Sequence, residues 1–159
     1  MPGALDGRGG RRGQGGFTLL ELLVVMFIIA VLLAVATPIM LEARNRARDR
    51  AAQATLRNAL TAEKAYFADR QAYTQTAAEL QAVEESLALD AGADANPTKG
   101  SIAYALVGNV IVLGTQSASG TCFYLKDDPA AAGGGTRYGS DGSAPCPKPS
   151  AAAGYAAAW

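Results

Sequence analysis

The sequence of 159 residues contains no histidine, and this absence narrows the chemistry available to the chain. Histidine supplies many zinc ligands and the usual general base of hydrolytic triads, so sites of both kinds are excluded. Two cysteines are too few for a four-thiolate metal site, although they can form one disulfide. The 14 basic and 14 acidic side chains cancel, which removes the whole-chain electrostatic argument for nucleic-acid binding.

Charge is nearly absent from residues 17–36, an apolar run of 20 residues whose one charged side chain is Glu21. The run also contains no glycine, proline, asparagine, aspartate, lysine or arginine. A helix of this length rises about 30 Å, which matches the hydrocarbon core of a bilayer. A buried core helix normally carries a polar stripe, and this run is apolar all round. The run therefore predicts a membrane-spanning helix rather than a core helix.

The segments beside this run have a different composition. Residues 1–16 are rich in glycine and arginine and show no apolar periodicity, which predicts an unstructured segment. After the run, Pro38 predicts either a kink or a boundary between two portions of the helix. Leu56, Leu60 and Phe67 then recur at helical spacing and form one apolar stripe. One continuous helix ending at residues 69–70 is predicted.

The remaining residues predict a short helix followed by strands. Residues 76–89 form the predicted second helix, with Thr76 as N-cap and Glu79 completing a capping box. Residues rich in β-branched side chains follow, with Gly108-Asn109 as a two-residue hairpin signal. The predicted strands cover residues 101–107, 110–114 and 121–125. Beyond Pro129 the composition predicts irregular loop and a mobile tail.

These elements define an α+β fold. One long N-terminal helix is predicted, half of it membrane-compatible, with the other half packed on a small antiparallel sheet.

Residues 16–21, Gly-Phe-Thr-Leu-Leu-Glu, follow a basic segment and begin the apolar run. This arrangement resembles the prepilin signature of type IV pilins and pseudopilins. The similarity extends to Pro38 and to residues 65–74, where pilin-like chains commonly leave their long helix. It implies that a prepilin peptidase cleaves between Gly16 and Phe17 and methylates the new amine of Phe17.

The resemblance also implies a domain organisation. Residues 1–16 form a cleaved leader, residues 17–37 a transmembrane helix that becomes the filament core, and residues 38–159 an exported globular pilin domain. This domain is expected to end in a flexible tail rich in glycine, alanine and proline.

Glu21 becomes the fifth residue of the cleaved chain and is the residue expected to direct assembly. A carboxylate inside an apolar helix costs about 2.5–3.5 kcal/mol at the bilayer centre and is usually functional. The amine of Phe17 in a neighbouring subunit offers it a cationic partner, and such a pair sets register more than net stability. Alternatively, Glu21 lies near the membrane edge and reaches water.

Cys122 and Cys146 enclose a loop of 23 residues. Pilins of this kind often close a C-terminal surface loop with a disulfide, and in an exported protein this bond would contribute roughly 3 kcal/mol. Two unrelated buried thiols are the alternative.

The function implied is that of a structural subunit, major or minor, of a type IV pilus-like filament serving adhesion, motility or DNA uptake. Its expected partners are copies of itself, prepilin peptidase, an assembly ATPase, a platform protein and the lipid of the cytoplasmic membrane. The precursor is expected in that membrane, with its leader in the cytoplasm, and the mature chain in a surface pilus or a periplasmic pseudopilus. A pseudopilin of a type II secretion system is the alternative, and an exported protein cleaved after Ala36 is a more distant one.

Other signals are weaker. Arg44, Arg46, Arg48 and Arg50 form a basic cluster, interpreted as a solvated helix face neutralised by Glu42 and Asp49 rather than as a DNA or anionic-lipid site. Binding of nucleic acid is therefore possible but not supported. Three aspartates, Asp127, Asp128 and Asp141, fit no EF-hand spacing, and no metal or cofactor is expected. The sequence has no nucleophile elbow and no phosphate-binding glycine loop, and the protein is not expected to be an enzyme.

Overall fold

A computed structural model describes residues 16–74, 76–90, 94–132 and 135–159. The predicted leader, apart from Gly16, lies outside the described residues. The described residues form two α-helices, one four-stranded antiparallel sheet and a short 3-10 helix, which confirms the α+β prediction. The elements are α1 Leu19–Arg70, α2 Ala77–Val83, β1 Ala103–Val107, β2 Val110–Gln116, β3 Cys122–Asp127, β4 Thr136–Asp141 and the 3-10 helix Pro149–Ala151.

Helix α1 runs through both of the units into which the chain divides, residues 1–40 and residues 41–159. Every described residue of the first unit is exposed. The helix ends where the sequence predicts, because Gln71 adopts a left-handed conformation with φ 55° and donates its N–H to the carbonyl of Phe67 at 2.8 Å. This is the αL type of C-terminal cap, which satisfies a carbonyl of the last helical turn.

The sheet is a meander in the order β1-β2-β3-β4, with every neighbouring pair antiparallel. Val107 pairs with Val110, so Gly108 and Asn109 form the predicted two-residue turn. Gly108 has φ 66°, a conformation that glycine adopts without steric cost at the first central position of a II′ turn. The hairpin prediction is confirmed.

The core of the second unit lies between α1 and one face of the sheet. Leu56 and Leu60 of α1 belong to the same buried cluster as Ile111, Leu113 and Leu125 of the sheet. The opposite face of β3 carries Cys122 and Tyr124, which pack with Cys146 and Tyr155 of the C-terminal residues. Alternate side chains point to opposite faces of a strand, so β3 is buried on both sides. The C-terminal residues are therefore a second layer over the sheet.

Helix α2 is shorter than the prediction of residues 76–89. It ends at Val83 because the chain then turns to pair Leu89 with Ile102, through hydrogen bonds from Ile102 N–H to Ala88 and from Asp90 N–H to Ile102. Thr76 is the N-cap residue as predicted, but the predicted capping box is wrong, because the Thr76 side chain makes no cap hydrogen bond. Its hydroxyl instead donates to Glu79 Oε2 at 2.8 Å.

The prediction of irregular loop after Pro129 is wrong for β4. This strand forms because its whole length pairs with β3, from Asp127↔Thr136 to Cys122↔Asp141. The residues predicted as a mobile tail contact β4. Tyr138 and Ala156 exchange two backbone hydrogen bonds of 2.7 and 2.8 Å, and the indole of Trp159 donates to the carbonyl of Gly139 at 2.9 Å.

Candidate assembly site

The N-terminus of α1 is capped by Thr18, directly after the predicted cleavage point. The hydroxyl oxygen of Thr18 accepts the N–H of Glu21 at 3.2 Å, and its carbonyl accepts the N–H of Leu22 at 3.2 Å. Glu21 is thus the third residue of the helix, where a carboxylate interacts favourably with the helix dipole. Thr18 and Glu21 have the spacing of a capping box before an apolar run, a signal that the sequence analysis missed here.

Residues 19–40, named here the apolar segment, present large hydrophobic side chains in every direction. Their exposed fractions run from 46% at Val24 to 88% at Leu19. Monomeric soluble proteins rarely expose a contiguous apolar surface of more than a few hundred Å². Among the described residues, this helix is the one long and apolar enough to cross a membrane. A surface of this kind requires a bilayer or other protein molecules around it.

Pro38 lies inside α1, and the helix continues through it. Proline has no N–H, so the carbonyl of Ala34 loses its donor at position i+4. Thr37, one residue earlier, donates its hydroxyl to the carbonyl of Leu33 at 2.7 Å. Helix α1 is therefore continuous across this position, as predicted. The two roles considered for Pro38, a bend and a boundary between portions, remain predictions.

In the second unit, a disulfide links Cys122 and Cys146, with a Cα–Cα distance of 5.7 Å. Both residues are buried, and the segment around Cys146 is further attached by two hydrogen bonds. Asn96 donates its side-chain amide to the carbonyl of Cys146, and Tyr124 donates its hydroxyl to the carbonyl of Pro147, each at 2.7 Å. The bond therefore joins β3 to the C-terminal layer over the sheet.

Asp127 at the end of β3 connects the sheet to α1. Its carboxylate accepts hydrogen bonds from Tyr73 at 2.5 Å and from Thr136, and it forms an ion pair with Lys64 at 3.1 Å. Burial acts to raise the pKa of Asp127, but the hydrogen bonds from Thr136, Tyr73 and Lys64 outweigh it and lower the pKa below its ordinary value. These contacts engage Asp127, one of the three aspartates that were compared with EF-hand spacing in the sequence analysis. Among the described residues, no group of three or more acidic or cysteine side chains is arranged to hold a metal.

Glu63 of α1 is, after Asp127 of β3, the second buried carboxyl among the described residues, and sequence reasoning did not identify it. One oxygen accepts the backbone N–H of Thr74 at 3.1 Å, and the other has no hydrogen-bond partner among the described residues. Burial raises the pKa of Glu63 to about 7, because water is excluded from the charged form. The repulsion of Glu79 adds to this effect, and the Thr74 hydrogen bond opposes it.

Comparison with known proteins finds a matching family motif and relatives that are similar to part of the chain. The prokaryotic N-terminal methylation motif matches residues 11–37. The type IV wide pilus major component PilA4 of Thermus thermophilus is 45% identical over 69 residues, which is 43% of this chain and 53% of that protein. The type IV major pilin protein PilA of Myxococcus xanthus is 35% identical over 65 residues, which is 41% of this chain and 30% of that protein.

The chain carries the prokaryotic N-terminal methylation motif and is similar to type IV pilins over about two fifths of its length. It is also similar to the competence protein ComGC of Halalkalibacterium halodurans, with 41% identity over 56 residues, 35% of this chain and 55% of that protein. The chain thus spans between about a third and about half of the length of these relatives. No solved structure matches it.

Proposed function

We propose that this chain is a structural subunit of a type IV pilus-like filament, made as a membrane-anchored precursor. Prepilin peptidase would cleave it between Gly16 and Phe17 and methylate the amine of Phe17, and the chain would then polymerise through its apolar segment. The observation that carries this proposal is the apolar segment itself, which has a capped N-terminus two residues after the cleavage point and is exposed along its whole length.

The apolar segment would have two surroundings in succession. In the bilayer its backbone groups are satisfied within the helix, which is the requirement for crossing hydrocarbon. In the filament, copies of the segment would pack against one another. Lipid tails are as apolar as leucine, so this transfer gains little from the hydrophobic effect and depends on van der Waals packing and specific pairs. Subunits related by a rotation that does not close would then build an open helical polymer.

Glu21 would supply the specific pair. Cleavage leaves a positive amine on Phe17, four residues before Glu21, and a neighbouring subunit shifted along the filament would bring its own amine to this carboxylate. A buried pair of this kind fixes register, since a displaced subunit leaves an uncompensated charge in a dry interior. The position of Glu21 in the first helical turn also keeps it near the membrane surface before assembly, where the cost of its charge is smaller.

The relatives favour a pilus or DNA-uptake filament over the alternative, a pseudopilin of a type II secretion system. Two of them are named as major pilus components and the third as a competence protein. Localisation follows the same proposal, with the precursor in the cytoplasmic membrane and the mature chain in a surface filament. An assembly ATPase and a platform protein are the further partners that it requires.

N-terminal mass spectrometry of the mature chain tests the proposal. We expect N-methylphenylalanine at Phe17 as the first residue, and a Gly16→Ile variant should accumulate with its leader attached. A mature chain that begins at Thr37 would show ordinary signal-peptide cleavage after Ala36 and would contradict the proposal. A wild-type chain that keeps residues 1–16 when produced together with a prepilin peptidase would also contradict it.

A further inference from the structure

The arginines that follow the apolar segment are less neutralised than their sequence indicates. All four, Arg44, Arg46, Arg48 and Arg50, are exposed. Glu42 forms an ion pair with Arg46. Asp49, the other acidic residue of this stretch, accepts a hydrogen bond from the hydroxyl of Ser119 at 2.5 Å. In the described parts of the chain, no carboxylate lies within 4.0 Å of the remaining three arginines.

These three arginines lie on more than one side of α1. A helix turns about 100° per residue, so Arg44 and Arg48 share one side. Arg50 lies about 200° around the axis from Arg48 and therefore points away from it. The charge thus lies on two sides of the helix instead of forming one flat stripe. A stripe is the pattern that a DNA backbone would favour, whereas charge on two sides is suited to an environment that surrounds the helix.

Chain connectivity places these three arginines directly after the apolar segment, on the side where the chain leaves the bilayer. The apolar segment of 22 residues has a length of about 33 Å, close to the hydrocarbon thickness of about 30 Å. Arg44 follows Met40 by four residues, which corresponds to about one helical turn. Lipid phosphate groups lie at about this depth. Arg48 and Arg50 follow Met40 by eight and ten residues, about 12 and 15 Å along the helix, so their long side chains would have to extend back towards the bilayer to reach the phosphates. The guanidinium group binds phosphate with two parallel hydrogen bonds.

We propose that Arg44, Arg48 and Arg50 form a basic collar that binds the phosphate groups of anionic phospholipids while the precursor or the mature chain lies in the membrane. This inference rests on the membrane anchor of the proposed function. The collar would fix the depth of the chain in the bilayer, and its contacts would have to break when the subunit enters a filament. Duplex DNA is the less favoured partner, because the cleaved chain has a formal charge of −2, from 11 basic and 13 acidic residues, and the collar adjoins the bilayer.

Lipid binding to the purified full-length chain tests the collar. The chain in dodecyl maltoside is titrated with phosphatidylglycerol or phosphatidylcholine at 150 mM salt, and bound lipid is measured by native mass spectrometry. We expect the chain to prefer phosphatidylglycerol. The triple variant Arg44→Gln, Arg48→Gln, Arg50→Gln should lose up to about 100-fold in affinity for it, since each arginine near an anionic surface contributes about 1 kcal/mol.

Three comparisons isolate the collar. A control triple variant, Lys99→Gln, Arg137→Gln, Lys148→Gln, removes the same charge from exposed positions outside the collar and should keep the preference. The corresponding arginine-to-lysine triple in the collar should keep part of it, because the charge is retained while the two parallel hydrogen bonds of each guanidinium group are lost. A leader variant, Arg8→Gln, Arg11→Gln, Arg12→Gln, removes the other basic segment, and the collar triple variant should lose the same factor in affinity with or without this leader change.

Two outcomes would overturn the inference. The first is equal affinity for the two lipids, or a preference that the collar triple variant retains. The second is tight binding of a 20-base-pair duplex that the same triple variant abolishes, with no lipid preference. Flotation with phosphatidylcholine vesicles separates these outcomes from failure of the proposed function. A chain that does not float with neutral vesicles lacks the membrane anchor itself, whereas one that floats without lipid preference lacks only the collar.

Discussion

The two parts of helix α1 form one continuous helix but are stabilised differently. In the apolar segment, residues 19–40, the hydrophobic side chains surround the helix and all are exposed. In residues 41–70, named here the packing segment, the buried residues lie on one face, and Leu56 and Ala59 are fully buried against the rest of the second unit. Hydrophobic burial within the chain therefore stabilises only the packing segment.

Because of this difference, we expect residues of the apolar segment to affect assembly and residues of the packing segment to affect folding. The packing segment carries charged and polar residues at most of its exposed positions and buries its apolar face in the core of the same chain. The apolar segment has no such division, so its surface requires a surrounding of lipid or of other subunits. Substitutions of the same type in the two segments should consequently affect different measurements.

The largest expected effect is on assembly. Glu21→Ala should abolish incorporation into filaments and leave membrane insertion intact, because it removes the charge proposed to pair with the amine of a neighbour. Electron microscopy of surface filaments and membrane fractionation measure the two properties. Glu21→Gln should fail in the same way, although glutamine also suits the third position of a capped helix. Glu85→Ala, at an exposed position of the second unit, is the matched control and should assemble normally. Normal filaments from Glu21→Gln would show that the charge is dispensable.

A leucine substitution in each segment tests the comparison directly. Leu56→Ala should lower the free energy of unfolding of the second unit by about 2–5 kcal/mol, because it leaves a cavity in the core. Leu32→Ala, at a side chain that is 64% exposed, should change it by less than about 0.5 kcal/mol. Trp159, the one tryptophan, packs against Phe123 and Tyr138, so its fluorescence in a denaturant titration measures unfolding of this unit. Equal losses of unfolding free energy from the two substitutions would show that the two segments are not stabilised differently.

Removal of the disulfide should affect the second unit alone. The double variant Cys122→Ser, Cys146→Ser should lose about 3 kcal/mol of unfolding free energy, since a cross-link over 24 residues restricts the unfolded chain. The same Trp159 titration measures the loss, and wild-type chain treated with reductant should match the variant. Membrane insertion should be unchanged. A variant as stable as the oxidised wild type would show that the C-terminal layer holds without the bond.

The stability of the second unit should also depend on the protonation of Glu63. Its pKa is about 7 in the folded chain and 4.5 ordinarily, so the folded state keeps the proton to higher pH. This contribution is complete below pH 4.5, is lost as pH rises towards 7, and amounts to about 3 kcal/mol at most. Asp127 acts in the opposite direction, because its pKa is lowered by folding. The difference between wild type and Glu63→Gln therefore isolates Glu63.

Denaturant titrations at pH 4.5 and pH 8 measure that difference. Glu63→Gln should gain stability relative to wild type as pH rises, because the amide accepts the Thr74 hydrogen bond without acquiring a charge. Glu85→Gln is the exposed control and should track wild type. A Glu63→Gln profile parallel to wild type would show that Glu63 titrates as an ordinary carboxyl.

Local sequence signals predict the elements that depend on near neighbours. The end of α1 near Arg70, the turn at Gly108-Asn109 and the first three strands agree with the prediction within a few residues. The shortening of α2 and the formation of β4 were missed, because each depends on residues distant in sequence. Leu89 leaves the helix to pair with Ile102, and Thr136 begins a strand because it pairs with Asp127. The burial of the Glu63 carboxyl was missed for the same reason.

The sequence by itself determined the apolar segment, its single charge at Glu21 and the motif that contains the proposed cleavage point. Those features depend on consecutive residues and need no partner within the chain, so composition and spacing are enough to read them. Only the tertiary structure determined which carboxylates accept hydrogen bonds from distant side chains. Ser119 engages Asp49, and Tyr73 and Thr136 engage Asp127, across 70, 54 and 9 residues of chain. A hydrogen bond between distant residues exists only once the fold brings them together, and for this reason the exposed charge of the basic collar emerges from the structure.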